Sequence, residues 1–353
     1  MLRPCGNFKK NYIQDEAIFQ TMFIRVVMAC LFSFLIMFPF ISSRYILNVT
    51  NIIGIFIIGA LGLNILTGFT GIISLGHGAF VGLGAYLTTL LTVRLGVPFL
   101  IALPVGAFLT AFLGLLPGLV ALRIKGMYLA IATLAVQIIF AFVITETPEL
   151  TGGDLGLASN VPLFLAPYTN SGQMAFYYLV FGILVALTLF ARNLFRTKVG
   201  RLFVSIRDND LASQVIGIPV GKYRLMAFWI SSFYAGLCGG LWAGNSGVIS
   251  PDQFSLMLSL QFLSIILIGG IGSIQGSIYG SVFVLAVPEV LANLSTSVGK
   301  VINADITSHL SSLNNAIFGL LIIIFLIYEP HGLARIWVKT KNYFKLWPFS
   351  YFG

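Results

Sequence analysis

Charged side chains are scarce in this sequence. Only 9% of its 353 residues are charged, whereas 58% are hydrophobic and the mean hydropathy is +0.97. Soluble domains carry about 25% charged residues, so the composition excludes an ordinary soluble globular protein. It predicts an all-α polytopic membrane protein, because a helix satisfies its own backbone hydrogen bonds inside a bilayer.

Cysteine is also rare, and the three cysteines follow no motif. Cys5, Cys30 and Cys238 lack the close spacing of metal ligands, and two of them lie in or beside apolar runs. Neither a disulfide scaffold nor a zinc site is therefore predicted. We expect the cysteines to be small core residues.

Sequence motifs for ATP binding and for catalysis are absent. A phosphate-binding loop has the pattern G-x-x-x-x-G-K-[ST], and the string GIPVGKY at Gly217–Tyr223 has one residue too few and ends in tyrosine. The three histidines, His77, His309 and His331, are scattered, and no G-x-S-x-G string occurs. We therefore expect no enzymatic activity, cofactor or metal in this chain, and any ATP would be used by partner subunits.

Ten apolar runs approach or reach the length that crosses a bilayer, about 17 to 25 residues. The first run follows a basic segment but lacks a small-x-small cleavage site, which predicts an uncleaved helix with a cytoplasmic N-terminus. Ten spans then place the C-terminus in the cytoplasm too. The predicted division is a cytoplasmic segment 1–24, a transmembrane domain 25–328 and a cytoplasmic tail 329–353. The predicted spans are 25–42, 46–66, 78–93, 98–122, 127–145, 173–191, 225–246, 255–271, 277–295 and 310–328.

Lysine and arginine are distributed unevenly over the predicted loops. Cytoplasmic loops carry the excess of these residues in membrane proteins, and the ten-span layout places 17 of the 20 inside and only Arg44, Arg94 and Lys300 outside. The external loop 146–172 holds acidic residues but no basic residue. The net charge of +9 is therefore assigned to the inner membrane face, and nucleic-acid binding is a poor explanation for it.

Glycines and small polar residues interrupt an apolar stretch at 62–86, GLNILTGFTGIISLGHGAFVGLGAY. Backbone that leaves the helical path at membrane depth is tolerated only against protein or a water-filled cavity, which makes this segment a candidate substrate path. Its polar groups suit the carboxylate and the ammonium of a small zwitterion. Close packing through glycine is the alternative, and His77 has the alternative role of holding loop carbonyls. The candidate residues are Asn64, Thr67, Thr70, Gly71, Ser74, Gly76, His77 and Gly78.

A second glycine-rich interruption, IGGIGSIQGSIYG, lies at Ile268–Gly280 on the same predicted side of the membrane. Paired interruptions in the two halves of a transporter are typical of a central binding site, and Gly272, Gln275 and Gly276 complete the candidate path. Packing of small residues is again the alternative. Glu289 is the carboxylate predicted well inside the membrane, either as a coupling or gating group or in a paired role at the rim.

The long basic loop 192–224 is predicted to contain a short amphipathic helix. An apolar stripe between Gly200 and Ile216 runs among charged residues, and Gly217 and Pro219 then end the pattern. A solvated positive-inside loop explains the charges alone. The stripe favours a docking role, and it consists of Leu202, Ile206, Leu211 and Val215.

Six strings occur in order over roughly residues 48 to 335. They are TGFTGIISLGHGAFVGLGAY, ALRIKGMYLAIATLA, TGGDLGL, GRLFVSIRDNDLASQVIGIPVGKYRLMAFWISSFYAGLCGGLWA, ISPDQFSLMLS and LIGGIGSIQGSIYGSVFV. Together they resemble the LivM-type permease subunit of bacterial branched-chain amino acid ABC importers. Two departures stand out: Ile72 and Ile73 replace a polar residue of many relatives, and Gln261 replaces a frequent acid.

The resemblance implies one subunit of a heteromeric importer in the bacterial inner membrane. Its implied partners are a LivH-like permease subunit, two cytoplasmic ABC ATPase subunits that hydrolyse ATP, and a periplasmic substrate-binding protein. The 192–224 loop is then the counterpart of the coupling helix that seats in an ATPase groove. The matching positions are Gly200, Arg201, Ile206, Arg207, Asp208, Asn209 and Gly217.

Three functions fit this sequence. The leading one is import of branched-chain or other small hydrophobic amino acids, driven by ATP hydrolysis in partner subunits. The second is import of urea, an amide or another small solute by the same machinery, because an external binding protein would make most of the selection. The third is a self-sufficient proton-coupled transporter, in which His77 and Glu289 titrate during transport.

Overall fold

The computed structural model describes residues 22–124, 126–159, 162, 170–302, 319–320, 323, 327, 329 and 332–346. These residues are mostly α-helical, which confirms the all-α membrane class. The helices are α1 Met22–Ile41, α2 Arg44–Leu63, α3 His77–Val93, α4 Phe99–Leu113, α5 Leu115–Val120, α6 Met127–Glu146, α7 Pro148–Thr151, α8 Asn170–Arg196, α9 Lys198–Asp208, α10 Asp210–Val215, α11 Val220–Ser246, α12 Leu256–Gly269, α13 Ile274–Ile302 and α14 Leu333–Leu346. Two short strands are β1 Leu157–Ala158 and β2 Val248–Ile249.

Helices of membrane-crossing character coincide with eight of the ten predicted spans. Six of them are long and apolar enough to cross a bilayer, and the two shorter apolar helices are His77–Val93 and Ile274–Val290. Helix α1 is not among these eight, and it overlaps the first predicted span, 25–42. The span 310–328, the segment 1–24 and parts of the tail 329–353 lie largely outside the described residues, so the count of ten and the side of each terminus stay predictions. The six long segments are Arg44–Phe69, Phe99–Val120, Met127–Glu146, Gly172–Arg196, Val220–Ser246 and Pro251–Gly269.

The loops at each end of the helices contact one another. Strands β1 and β2 pair antiparallel, which joins two loops that the sequence places outside. At the other end, Asn64 donates to the Ser273 carbonyl at 2.8 Å, and the Arg224 guanidinium donates to the Ala121 carbonyl at 3.2 Å. These contacts join chain segments at or beside the helix ends that the sequence places inside. The fold therefore agrees with the predicted alternation of helices, and the predicted cytoplasmic end is called the inner face below.

Helix α11 lies at the centre of the bundle and packs against α2, α3 and α4. Its glycines lie directly against neighbouring backbone: a Cβ at Gly236 would come within 2.8 Å of the backbone of α4, and one at Gly239 would overlap the Val81 carbonyl. The buried Tyr234 hydroxyl donates to the Leu187 carbonyl of α8 at 2.7 Å. Small residues let membrane helices approach this closely, so α11 positions α2 and α3, which carry the first glycine-rich segment.

Candidate functional site

The first glycine-rich segment leaves the α-helical path in two steps. Helix α2 continues as a π-helical turn, Asn64–Phe69, and residues 71–76 are not helical. Gly71 has a φ of +73°, in the left-handed region that glycine enters without steric cost. The Ile72 N–H closes the turn by donating to the Leu66 carbonyl at 3.2 Å. Turns of the π type inside helices occur frequently at functional sites.

Asn64 joins the two glycine-rich segments. Its Nδ2 donates to the Ser273 carbonyl and to Ser277 Oγ, both at 2.8 Å, and its Oδ1 accepts from the Gly272 N–H at 2.9 Å. The side chain is 1% exposed. Both amide hydrogens are therefore used within the chain, and we call this set of three hydrogen bonds the Asn64 bridge.

The other polar candidates of the first segment are buried. His77 is 1% exposed, and its Nε2 lies 3.0 Å from the Gly59 carbonyl of α2. This contact holds a backbone carbonyl, as the alternative role for His77 requires, although the carbonyl belongs to a helix and not to a loop. Thr70 Oγ1 donates to a carbonyl one turn earlier in the helix, and Ser74 is 1% exposed. The Thr67 hydroxyl is buried and has no hydrogen-bond partner among the described residues.

Most glycine candidates lie in close backbone contacts. A Cβ at Gly76 would overlap a carbonyl of α6, and one at Gly276 would come within 2.6 Å of a carbonyl of α12. The Gly78 N–H donates to Ser259 Oγ at 2.8 Å. Gln275 differs, since it is exposed at the start of α13. The packing interpretation thus accounts for these glycines, and their contact with a substrate stays a prediction.

The predicted coupling residues form two helices, α9 and α10, separated by a break. Asn209 lies at the break, and its Oδ1 caps α10 by accepting a backbone hydrogen bond at 3.0 Å. Gly200 and Ile206 are buried against the rest of the chain. Arg201 is exposed and donates to a carbonyl of α8 at 3.2 Å. Gly217, with a φ of +86°, makes the turn that follows α10.

Arg207 connects this segment to the first glycine-rich segment. Its Nη1 donates to the Gly68 carbonyl at 2.9 Å, across 139 positions of sequence. Its Nε and Nη2 donate to Asp208 Oδ1 at 3.2 and 3.1 Å. A Cβ at Gly71 would lie 3.0 Å from Arg207 Cγ, so the two backbones approach closely here. The structure thereby brings together the two sets of residues that the sequence analysis selected separately.

A cavity of about 360 Å³ opens at this meeting point on the inner face. Two arginines and two aspartates lie along it, and aliphatic side chains complete its wall. Its lining residues are Thr70, Gly71, Ile72, Ile73, Gly126, Leu129, Ile206, Arg207, Asp208, Asn209, Asp210 and Arg224.

Two charged lining residues were missed by sequence reasoning. Arg224 Nη2 lies 2.9 Å from Asp210 Oδ2, and their side chains are only 11% and 24% exposed. Arg224 is one of the 17 basic residues that the sequence assigns to the inner membrane face. The signal that was present is an acid at the start of α10 and a base near the start of α11, 14 positions later in the sequence.

Comparison with known proteins gives one family and several relatives. The family model for the permease component of the branched-chain amino acid transport system matches residues 45–326. A high-affinity branched-chain amino acid permease protein, LivM of Escherichia coli K12, is 30% identical over 331 residues, covering 86% of this chain and 74% of the relative.

More distant relatives carry other names. A probable branched-chain amino acid permease protein, LivH of Methanocaldococcus jannaschii, is 26% identical over 296 residues, covering 80% of this chain and 90% of the relative. A fructose import permease protein, FrcC of Rhizobium meliloti, is 27% identical over 222 residues, covering 60% and 61%. No solved structure matches this chain.

Proposed function

Because this chain belongs to the family of permease components of branched-chain amino acid transport systems, we propose that it is a permease subunit of an ABC importer. With a second permease subunit it forms the translocation path for branched-chain, hydrophobic amino acids. Separate ATPase subunits drive transport. The fold and the named relatives support this function, and the arrangement at the inner face supports the way in which it is driven.

The hydrogen bond from Arg207 to the Gly68 carbonyl carries the proposal. It joins the coupling segment to the turn at which α2 leaves the helical path, at 2.9 Å. A charged donor makes a stronger hydrogen bond than a neutral one, and Gly68 lies near the end of the π-helical turn, where carbonyls lack a partner within the helix. Movement of the coupling segment under a nucleotide-driven ATPase would therefore act directly on the glycine-rich segment.

The short helix α10 supplies the surface for the ATPase. Leu211 and Val215 of the predicted stripe are 64% and 87% exposed, and Ile216 directly after α10 is 73% exposed, whereas Ile206 of the stripe is 4% exposed. One half of the stripe thus anchors the segment to the bundle, and the other half presents apolar side chains at the inner face. An exposed apolar patch of this kind is typical of a protein interface.

The remaining partners follow from the same assignment. We propose that a LivH-like permease completes the membrane part, that two cytoplasmic ATPase subunits dock beneath it, and that a periplasmic binding protein delivers the substrate. The complex then resides in the bacterial inner membrane. ATP is hydrolysed by the partner subunits.

Reconstitution tests the proposed function. Leucine uptake is measured in proteoliposomes that contain this chain with its partner subunits, with and without internal ATP and the external binding protein. Uptake that requires both components is expected. Uptake by this chain alone, driven by a proton gradient, would contradict the assignment and would make Glu289, which lies part-buried in α13, the residue to change.

A single substitution tests the docking surface. Val215→Asp places a charge in the apolar patch, and we expect loss of ATPase capture and of uptake because an interface does not bury an unpaired carboxylate. Leu155→Asp is the matched control, since Leu155 is 93% exposed in the external loop 146–172, at the opposite end of the helices from the inner face. ATPase co-purification that is equal for both variants would contradict the docking assignment.

Another substrate for the same machinery is the second candidate. The similarity to a fructose import permease protein shows that related chains carry the names of importers for chemically different solutes. A competition series of leucine, urea, amides and fructose against labelled leucine uptake distinguishes the two.

A further inference from the structure

The cavity at the inner face has the size of a small-molecule site. Its volume of about 360 Å³ falls within the range of known ligand sites, about 300–1,000 Å³. It lies between the coupling segment and the glycine-rich turn, so any occupant would contact both. The second described cavity, near Trp242 and Asn245, is only about 80 Å³ and is too small for a comparable ligand.

The charges along the cavity balance. Arg207 and Arg224 contribute two positive charges, and Asp208 and Asp210 contribute two negative charges. A phosphate or another anion would gain no net attraction from this set, whereas a zwitterion finds a partner for each of its ends. The guanidinium of an arginine has five N–H donors, and Arg207 uses three of them in its bonds to Gly68 and Asp208.

An aliphatic wall faces these charges. Ile72, Ile73, Leu129 and Ile206 line the same cavity, and the Ile73 side chain is 44% exposed. Ile73 therefore offers aliphatic surface to a ligand in the same cavity that the four charged groups line. A ligand with an aliphatic side chain and a zwitterionic end would cover this wall.

We propose that this cavity binds a free aliphatic amino acid from the cytoplasm, with its carboxylate on Arg207 and its ammonium beside Asp208 and Asp210. The proposal rests on the proposed function, since the ligand is the product of transport. A carboxylate on the two remaining donors of Arg207 attracts the guanidinium and weakens its bond to the Gly68 carbonyl, which loosens the link between the coupling segment and the glycine-rich turn. Accumulated amino acid would thereby slow its own import.

Direct binding is measured first, on the assembled complex in nanodiscs without the external binding protein. Leucine is compared with glycine, with leucinamide, which lacks the carboxylate, and with 4-methylpentanoate, which lacks the ammonium. We expect leucine to bind, glycine to bind at least about tenfold more weakly because it lacks all four side-chain carbons, and the two singly charged analogues not to compete. Ile73→Trp fills the cavity and should abolish binding, whereas the matched Ile73→Val should keep it.

Uptake measurements then separate this proposal from the proposed function. In proteoliposomes with ATP and binding protein, preloaded leucine should slow uptake by the wild type and by Ile73→Val but not by Ile73→Trp. Uptake without such inhibition, or equal leucine binding by the two variants, would overturn the cavity assignment and leave the importer function standing. Leucine binding that appears only after removal of the ATPases would also overturn it, because an ATPase segment would then occupy the cavity. Absence of uptake in every arm would instead contradict the proposed function.

Discussion

Replacing Arg207 by glutamine tests whether the hydrogen bond to Gly68 transmits force from the ATPase. The shorter, neutral side chain removes the 2.9 Å bond to the Gly68 carbonyl. A hydrogen bond to a charged group contributes about 1.5–3 kcal/mol, and the lower end applies because the Arg207 side chain is 37% exposed. The neighbouring pair with Asp208 is still more exposed, so it adds only about 0–1 kcal/mol.

A loss of about 1.5 kcal/mol corresponds to about a tenfold change in rate. We therefore expect the leucine imported per ATP hydrolysed to fall about tenfold in Arg207→Gln, while the ATPase rate is retained and the melting temperature falls by only about 2–4 °C. Uptake and phosphate release are measured on the same proteoliposomes. Arg123→Gln is the matched control, since Arg123 is an exposed arginine at the inner face that lies outside the coupling segment. An unchanged transport-to-hydrolysis ratio in Arg207→Gln would refute the coupling role.

Two further predictions concern the packing that holds the site. Asn64→Leu removes the Asn64 bridge and leaves buried backbone groups without partners, so the free energy of unfolding in detergent should fall by about 2–4 kcal/mol. The matched Gln275→Leu, at an exposed position, should be nearly neutral. Equal melting temperatures for the two variants would contradict the bridge. Gly239→Ala places a Cβ on the Val81 carbonyl, and we expect a loss of about 1–3 kcal/mol from overpacking. Gly182→Ala meets no atom within 4 Å and should gain about 0.5–1 kcal/mol from helix propensity; the reverse order of stabilities would contradict the packing of α11.

The positions of the helices followed from the sequence because each apolar run is long and is bounded by polar or glycine-rich residues. The interruption after α2 was also visible, since Gly68, Gly71 and Gly76 stand where a plain membrane helix would have large apolar residues. Both features depend on the residue types within a short segment, so the sequence alone predicts them.

The hydrogen-bond partners of the polar residues could not be predicted from the sequence. Asn64 was selected as a substrate contact because a polar group at membrane depth needs a reason, but its hydrogen-bond partner Ser277 lies 213 positions away. The same limit applies to Arg207, whose acceptor carbonyl is 139 positions distant. Gln275 was selected because it lies in a glycine-rich string, and it is exposed at the start of α13. The string alone does not show which face of the helix this residue occupies.

The Asn64 bridge also determines which parts of the molecule are able to move separately. It fastens the end of α2 to the start of α13, and the contact of Gly276 with Gly269 fastens α13 to α12. We therefore expect the inner ends of these three helices to move together, and Arg207 connects the coupling segment to them through the Gly68 carbonyl. Under the proposed function, a passage would open and close as these helix ends move together against the second permease subunit. The point of bending would then lie outside the two glycine-rich segments.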